Sequence, residues 1–430
     1  MPSTKPMAVL PKQFEPLENL MKNMSHWQDG KETGLLATNS FRKFVDSDFP
    51  DLTEAVMNSD PNDAALNTAL FRDYSFAASS YILEPCHHTY LETGDYGIGE
   101  SELPAKLAKP QVELAKRLGY KQPLLDYGHG YALYNWQYKN GKDADPTSDK
   151  FQNKDIIKDP QDLLSEMNVI RNFHGCGNED GFILNHVAIV SSTNKQFAAN
   201  ELIMDGLAEK DRAKFNRGLV KLDKFLKEIE SSFMHMWKES RPARYLDFRT
   251  FIMGIQGNTD IFPNGVIYRG CFDDKPQAFR GETGAQDSII PAVDSCLGLS
   301  YPNNSLTSYL FELRDYRPYT HQDYINWLAE QSSKHDIKSF AMADSHSAFL
   351  MLKAMHKTFT FRHLHFNMVK KYIIDNTKYP RATGGTPITT WLPNQTGACL
   401  EYCEDIIKQI DGLTLDEDDH EDFEHLKEQV

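Results

Sequence analysis

Apolar residues recur along most of this chain at intervals of three and four, the spacing that lines them up on one face of an α-helix. The clearest run is Phe215, Leu219, Leu222, Leu226, Ile229, Phe233 and Met236. Another passes through Leu66, Leu70, Tyr74, Ala77 and Tyr81, with Asp60-Pro61 ahead of it as N-cap and first helical residue. Helices are also predicted over 180–202 and 344–376, the second broken near Phe359 by its β-branched and aromatic neighbours. Short strands are expected only around 265–268. The stretch 139–155 holds a Pro, a Gly and many charges with little to bury, and reads as a linker. It divides the chain into a small N-terminal domain (1–150) and a large helical domain (151–411). The acidic run 416–428 makes 412–430 a solvated tail.

Composition narrows the functions open to such a chain. Apolar residues make up 40% of its 430 positions, enough for a sizeable core. A net charge of −15 gives no general attraction to phosphate backbones, so nucleic acid is not an expected partner. The start of the chain shows no apolar signal region. No apolar run approaches the roughly 18–20 residues that span a bilayer, so no membrane is expected. Six scattered cysteines do not form a disulfide framework, and a reducing, cytoplasmic setting fits them best.

Several segments carry candidate chemistry. In 361–373, an apolar helical pattern places His365 one turn after Arg362. Such a histidine could ligate haem iron, and an arginine on the same face could hold a propionate, although a lone buried histidine is more often a core residue. Phe182 and His186 share a helix face, which suits the open side of a haem pocket or ordinary packing. Arg249 interrupts an apolar stretch, where a buried guanidinium needs an anion. That anion is either an Asp or Glu of this chain or a substrate carboxylate. Other motifs lead nowhere specific. Cys86-His87-His88 and His174-Gly175-Cys176 lack the further paired ligands of a zinc site, and no CxxCH attaches a haem covalently. Tyr96-Gly97-Ile98-Gly99 lacks the third glycine of a dinucleotide loop, and Thr383-Gly384-Gly385-Thr386 lacks the lysine of a P-loop and reads as a flexible loop with exposed donors.

Taken together and in this order, these motifs resemble the indoleamine 2,3-dioxygenase family over most of the chain from about residue 60 to 411. The likeness is strongest in 245–258, in 268–299 (with Phe272, Pro276, Phe279, Gly281, Gln286 and Asp294) and in 362–386. It implies an all-α fold of a small and a large domain, the latter holding noncovalent haem b. Residue by residue, it implies that His365 ligates the iron and that Arg362 and Asp294 form the polar pair near a propionate. Thr283 and Gly284 belong to the loop at the haem edge, and Phe182 packs on the indole. Arg249 takes the amino-acid carboxylate beside Tyr245, and Thr383 belongs to a mobile loop that closes over substrate. The activity implied is cleavage of the C2–C3 bond of L-tryptophan by dioxygen, giving N-formylkynurenine, with an electron donor keeping the iron ferrous.

The chain departs from the family pattern at identifiable points. His186 stands where a small serine is familiar and would accept the indole N–H or contact oxygen. Tyr131 is expected to point into the pocket, Arg244 replaces a phenylalanine at its entrance, and Glu282 replaces a glycine. A relative acting on a modified tryptophan or other indole, and an oxygen-binding protein of myoglobin type, are the competing readings. The second needs His365 but has no use for Arg249 and the Thr383 loop.

Overall fold

The computed structural model describes residues 6–120, 122–139, 164–299, 301, 305–379, 381–410, 415 and 417–429. Nearly all of the predicted linker, and with it the boundary near 150, lies outside these residues. Helices carry the architecture, so the all-α expectation holds. The strands are very short: β1 (Glu102–Leu103), β2 (Trp136–Tyr138), β3 (Met167–Val169), β4 (Val266–Tyr268) and β5 (Pro276–Gln277).

In the N-terminal part, α1 (Ala64–Thr93) is buried on nearly all sides and packs against α2 (Ala105–Leu118). Its cap is Asp63, whose carboxylate accepts the Leu66 N–H at 3.0 Å. Asp60, the expected cap, instead holds the Asn62 N–H at 2.8 Å within the turn that precedes the helix.

The predicted helix over 180–202 is two helices, α3 (Asn178–Ser191) and α4 (Thr193–Glu209). Ser191, Ser192 and Thr193 turn their hydroxyls back onto the carbonyls of Ala188, Ile189 and Val190, competing with the backbone ladder at the break. Next comes α5 (Arg212–Met234), which buries the predicted stripe. The segment around Arg249 is only a short helix, α6 (Leu246–Arg249), tightening into a 3₁₀ turn at Thr250–Ile252. It is followed by α7 (Ile289–Cys296), α8 (Tyr319–Lys334), α9 (Ser345–Val369), α10 (Ile388–Ile410) and α11 (Glu417–Gln429).

Helix α9 runs through Phe359 without the expected break. Thr358 and Thr360 satisfy their hydroxyls on the carbonyls of Ala354 and His356, both at 3.0 Å, so the β-branched residues fit inside the helix. It packs between α5 and α10. The acidic tail also differs from expectation. It folds as α11 and docks on α9 through buried Phe423 and Leu426, with Asp422 paired to Lys353 at 3.0 Å.

Two features join the early and late parts of the chain. β1 pairs in parallel with β4, which pairs antiparallel with β5. Arg171, next to β3, reaches Asp73 of α1 at 2.9 Å and Glu18 at 2.7 Å, while Arg72 holds the other side of Asp73 at 2.8 Å. Burial alone would raise the Asp73 carboxyl, but Arg171 and Arg72 outweigh it and hold Asp73 below the usual carboxylate range.

Candidate functional site

Helix α9 carries His365 toward α3, which carries Phe182 and His186. Protein surrounds both imidazoles, yet each ring keeps some accessible surface, as side chains lining an internal space do. Burial pushes His365 down to about 4, and the neighbouring His186 adds to that effect. It is therefore a neutral base at pH 7. Its ring nitrogens make no hydrogen bond to any described residue, although Phe233 stands edge-on at 6.2 Å. Arg362 and Asp294 meet at 2.6 Å, Tyr301 donates to Asp294 at 2.8 Å, and Arg362 lies over the Tyr301 ring at 5.1 Å.

On the opposite side, Nδ1 of His186 lies 2.8 Å from the Phe182 carbonyl. A carbonyl can only accept, so Nδ1 carries the proton and Nε2 keeps its lone pair. Burial lowers His186 to about 4, more than the bond to Phe182 raises it. Nε2 looks toward Gly284, where a Cβ would stand 4.0 Å away. The surrounding wall is aromatic. Phe182 lies 4.7 Å from His186, 5.4 Å from Tyr245 and 5.6 Å from Phe248, and Tyr127 lies 5.5 Å from His186. Tyr131 is placed differently from expectation. It is fully buried behind Phe182 at 6.4 Å, with its hydroxyl donating to Glu179 at 3.0 Å, so it supports the wall from behind. Its burial follows from Asp126, whose carboxylate accepts the N–H groups of Gly128, His129 and Gly130 and winds 127–131 into a tight turn against α1.

Arg249 is fully buried at the end of α6. It donates to the Tyr96 hydroxyl at 3.0 Å and to the Arg381 carbonyl, while its Nε finds no partner. Among the described residues no Asp or Glu pairs with it. An intramolecular salt bridge, the plainer of the two anions considered for Arg249, is thus absent there. Sequence reasoning missed Tyr96, Tyr379 and Asn258 as supports of this region. Tyr96 opens the Tyr96-Gly97-Ile98-Gly99 segment, whose sequence resembles only an incomplete nucleotide loop.

The Thr383-Gly384-Gly385-Thr386 segment is packed down rather than exposed. Thr383 donates its hydroxyl to the Glu282 carbonyl at 2.7 Å, and its own carbonyl accepts from Gly254 N at 2.9 Å. Gly385 has φ +81°, and a Cβ there would meet the Gln256 carbonyl oxygen at 2.1 Å. Gly254 and Gly281 approach just as closely, since a Cβ on Gly254 would lie 1.9 Å from Gly281 N. These contacts draw Thr283, Gly284, Thr383 and the Arg249 segment together, with Gly284 next to His186.

A separate cluster lies outside this space. Cys176 is 2.7 Å from Nδ1 of His174 and Asp247 is 3.7 Å from Nε2, and the three residues bring ligand atoms within 4.8 Å of one another. Arg244, half exposed, pairs with Asp247 at 2.7 Å.

A neutral, unpartnered imidazole facing an aromatic wall is the donor set that haem b requires. Comparison with known proteins settles the lineage. The model of the indoleamine 2,3-dioxygenase family matches residues 1–396. The chain belongs to the indoleamine 2,3-dioxygenase family. It is 24% identical to indoleamine 2,3-dioxygenase 1 of Rattus norvegicus over 67% of this chain and 70% of that protein. It is 23% identical to a myoglobin of Haliotis madaka over 86% of this chain and 85% of that protein. It is 24% identical to a 6-hydroxytryptophan 2,3-dioxygenase of Fusarium equiseti over 63% of this chain and 62% of that protein. Family membership supports a haem dioxygenase acting on tryptophan-like indoles. Among the described residues no helix is long and apolar enough to cross a membrane.

Proposed function

We propose that this protein uses haem and dioxygen to open the indole ring of L-tryptophan between C2 and C3, giving N-formylkynurenine. The observation that carries this reading is Arg249, a fully buried guanidinium with an orphaned Nε and no acidic partner among the described residues. Such a group is costly unless an anion completes it, and a substrate carboxylate does so with matching geometry. An oxygen store gains nothing from it.

His365 would hold the haem iron through its neutral imidazole, with Arg362 and Asp294 at the polar edge. When bound, the haem supplies the dioxygen chemistry, its iron kept ferrous by an electron donor. The remaining work belongs to this chain. Arg249 fixes the carboxylate, and the docked Thr383 loop shuts the site from water. Phe182 packs on the indole, and Nε2 of His186 accepts the indole N–H. Both oxygen atoms end in the product, so no proton is gained or lost overall. Holding C2 and C3 in one place relative to the oxygen supplies a large part of the rate.

Arg249→Ala tests the reading through steady-state kinetics. Losing a charged contact in a desolvated site should lower kcat/KM for L-tryptophan by about 10- to 100-fold, mostly through KM. Unchanged kinetics would contradict the carboxylate assignment. The fungal relative's name motivates a second substrate, 6-hydroxytryptophan, and the ratio of kcat/KM for the two amino acids decides between them.

A further inference from the structure

Glu282 is a buried acid that the mechanism above leaves unused. It is 2% exposed. Its carboxyl makes no hydrogen bond or ion pair with any described residue, its backbone carbonyl alone being taken by Thr383. A buried carboxyl without a partner is unfavourable unless something else supplies one.

Its position indicates what that partner is. Glu282 stands between Gly281, pressed against Gly254, and the 283–284 loop, which faces Nε2 of His186. Its charge is felt at the hydroxyls of Tyr127, Tyr131, Tyr245 and Tyr309. Tyr127 and Tyr245 are the rings beside His186 and Phe182, so the loop that carries Glu282 borders the same aromatic wall. Tyr245 also feels Arg249. It therefore lies between an unpaired buried cation and an unpaired buried acid, which do not pair with each other. The carboxylate that acts on Glu282 among the described residues is Asp126, whose oxygens are already occupied by three backbone N–H groups. An unpaired guanidinium and an unpaired carboxyl on either side of Tyr245 match the two ends of a zwitterion.

We propose that Glu282 accepts the α-ammonium group of the substrate, completing with Arg249 a two-point clamp on a free amino acid. The inference rests on the reading that the substrate carboxylate binds at Arg249. Burial, and then the charge of Asp126, push the Glu282 carboxyl up to about 8, so the free enzyme holds it protonated at pH 7. Against an ammonium ion it ionises, and one proton leaves to water for each amino acid bound.

Calorimetric titration of the ferric holoenzyme at pH 7, in two buffers of different ionisation enthalpy, tests this without turnover. L-Tryptophan should release close to one proton per site, whereas indole-3-propionic acid, which lacks the ammonium, should release none. Glu282→Gln should abolish the release and weaken L-tryptophan by about tenfold or more, leaving indole-3-propionic acid within about twofold. Glu282→Gly provides the same comparison if the glutamine variant folds poorly. Wild-type binding of L-tryptophan without proton release, or equal weakening of both ligands in the variants, would overturn the proposal. Failure of the underlying reading looks different: neither ligand would then bind the wild-type holoenzyme, and the clamp falls with it.

Discussion

A guanidinium moved out of water loses several kcal/mol of hydration, and most buried arginines recover it on a carboxylate of their own chain. Arg72 and Arg171 do so on Asp73, and Arg317 fills its nitrogens with backbone carbonyls, whereas Arg249 is left with a hydroxyl, a carbonyl and an orphaned Nε. An orphaned Nε with no acidic partner among the described residues is what supports the proposal that Arg249 binds a ligand. His186 carries the same logic on the neutral side. Its tautomer is fixed by Phe182, and its free lone pair faces the loop at Gly284. If that lone pair accepts the indole N–H, L-tryptophan should be preferred over 1-methyl-L-tryptophan by about tenfold, one hydrogen bond to a desolvated acceptor. His186→Ala should erase the preference. A preference of the same size in the variant would mean that the N–H is read elsewhere.

At the scale of elements, the site is assembled by close approach of loops rather than by helix faces alone. Gly254 against Gly281 and Gly385 against Gln256 leave no room for a Cβ. Gly385→Ala should force the 382–386 segment off its seat, because the left-handed φ and the backbone clash act together. The expected result is a roughly tenfold fall in kcat/KM and faster protease cleavage near residue 385. Unchanged turnover and cleavage would show that the docked loop does not matter. These approaches explain what could be read in the sequence and what could not. The buried stripe of α5 was legible because periodicity records burial directly. Arg249 and Phe182 with His186 were legible as charged or polar residues in apolar segments. The break at Ser192 was not, since it depends on three hydroxyls choosing local carbonyls. Neither was the support of Arg249 by Tyr96, 153 positions away, since nothing local marks that tyrosine. In the sequence Tyr131 reads as a lining residue, because an aromatic near a pocket wall can face either way. Only the anchoring of its hydroxyl on Glu179 shows which.

For the molecule as a whole, the Glu18–Arg171–Asp73–Arg72 network joins residues early in the chain to the segment leading into α3. Asp73→Asn removes one charge and leaves two arginines facing each other in the interior. It should cost about 3–5 kcal/mol in urea unfolding. The sign with pH follows from a carboxyl held low in the fold. Its contribution is complete above the ordinary carboxylate range and fades as pH falls through and below it, so wild type and variant should converge in strong acid. A variant as stable as wild type at pH 7 would remove the network from the account. The same architecture sets His365 of α9 toward His186 of α3 and gathers the Arg249 segment and the 283–284 and 382–386 loops nearby. We propose that dioxygenation takes place there. Its most direct test is turnover of L-tryptophan by the reduced, haem-loaded protein under ¹⁸O₂, with mass spectrometry of the product. The expected product is N-formylkynurenine carrying two labelled oxygen atoms. Reversible oxygen binding with no labelled product would contradict it.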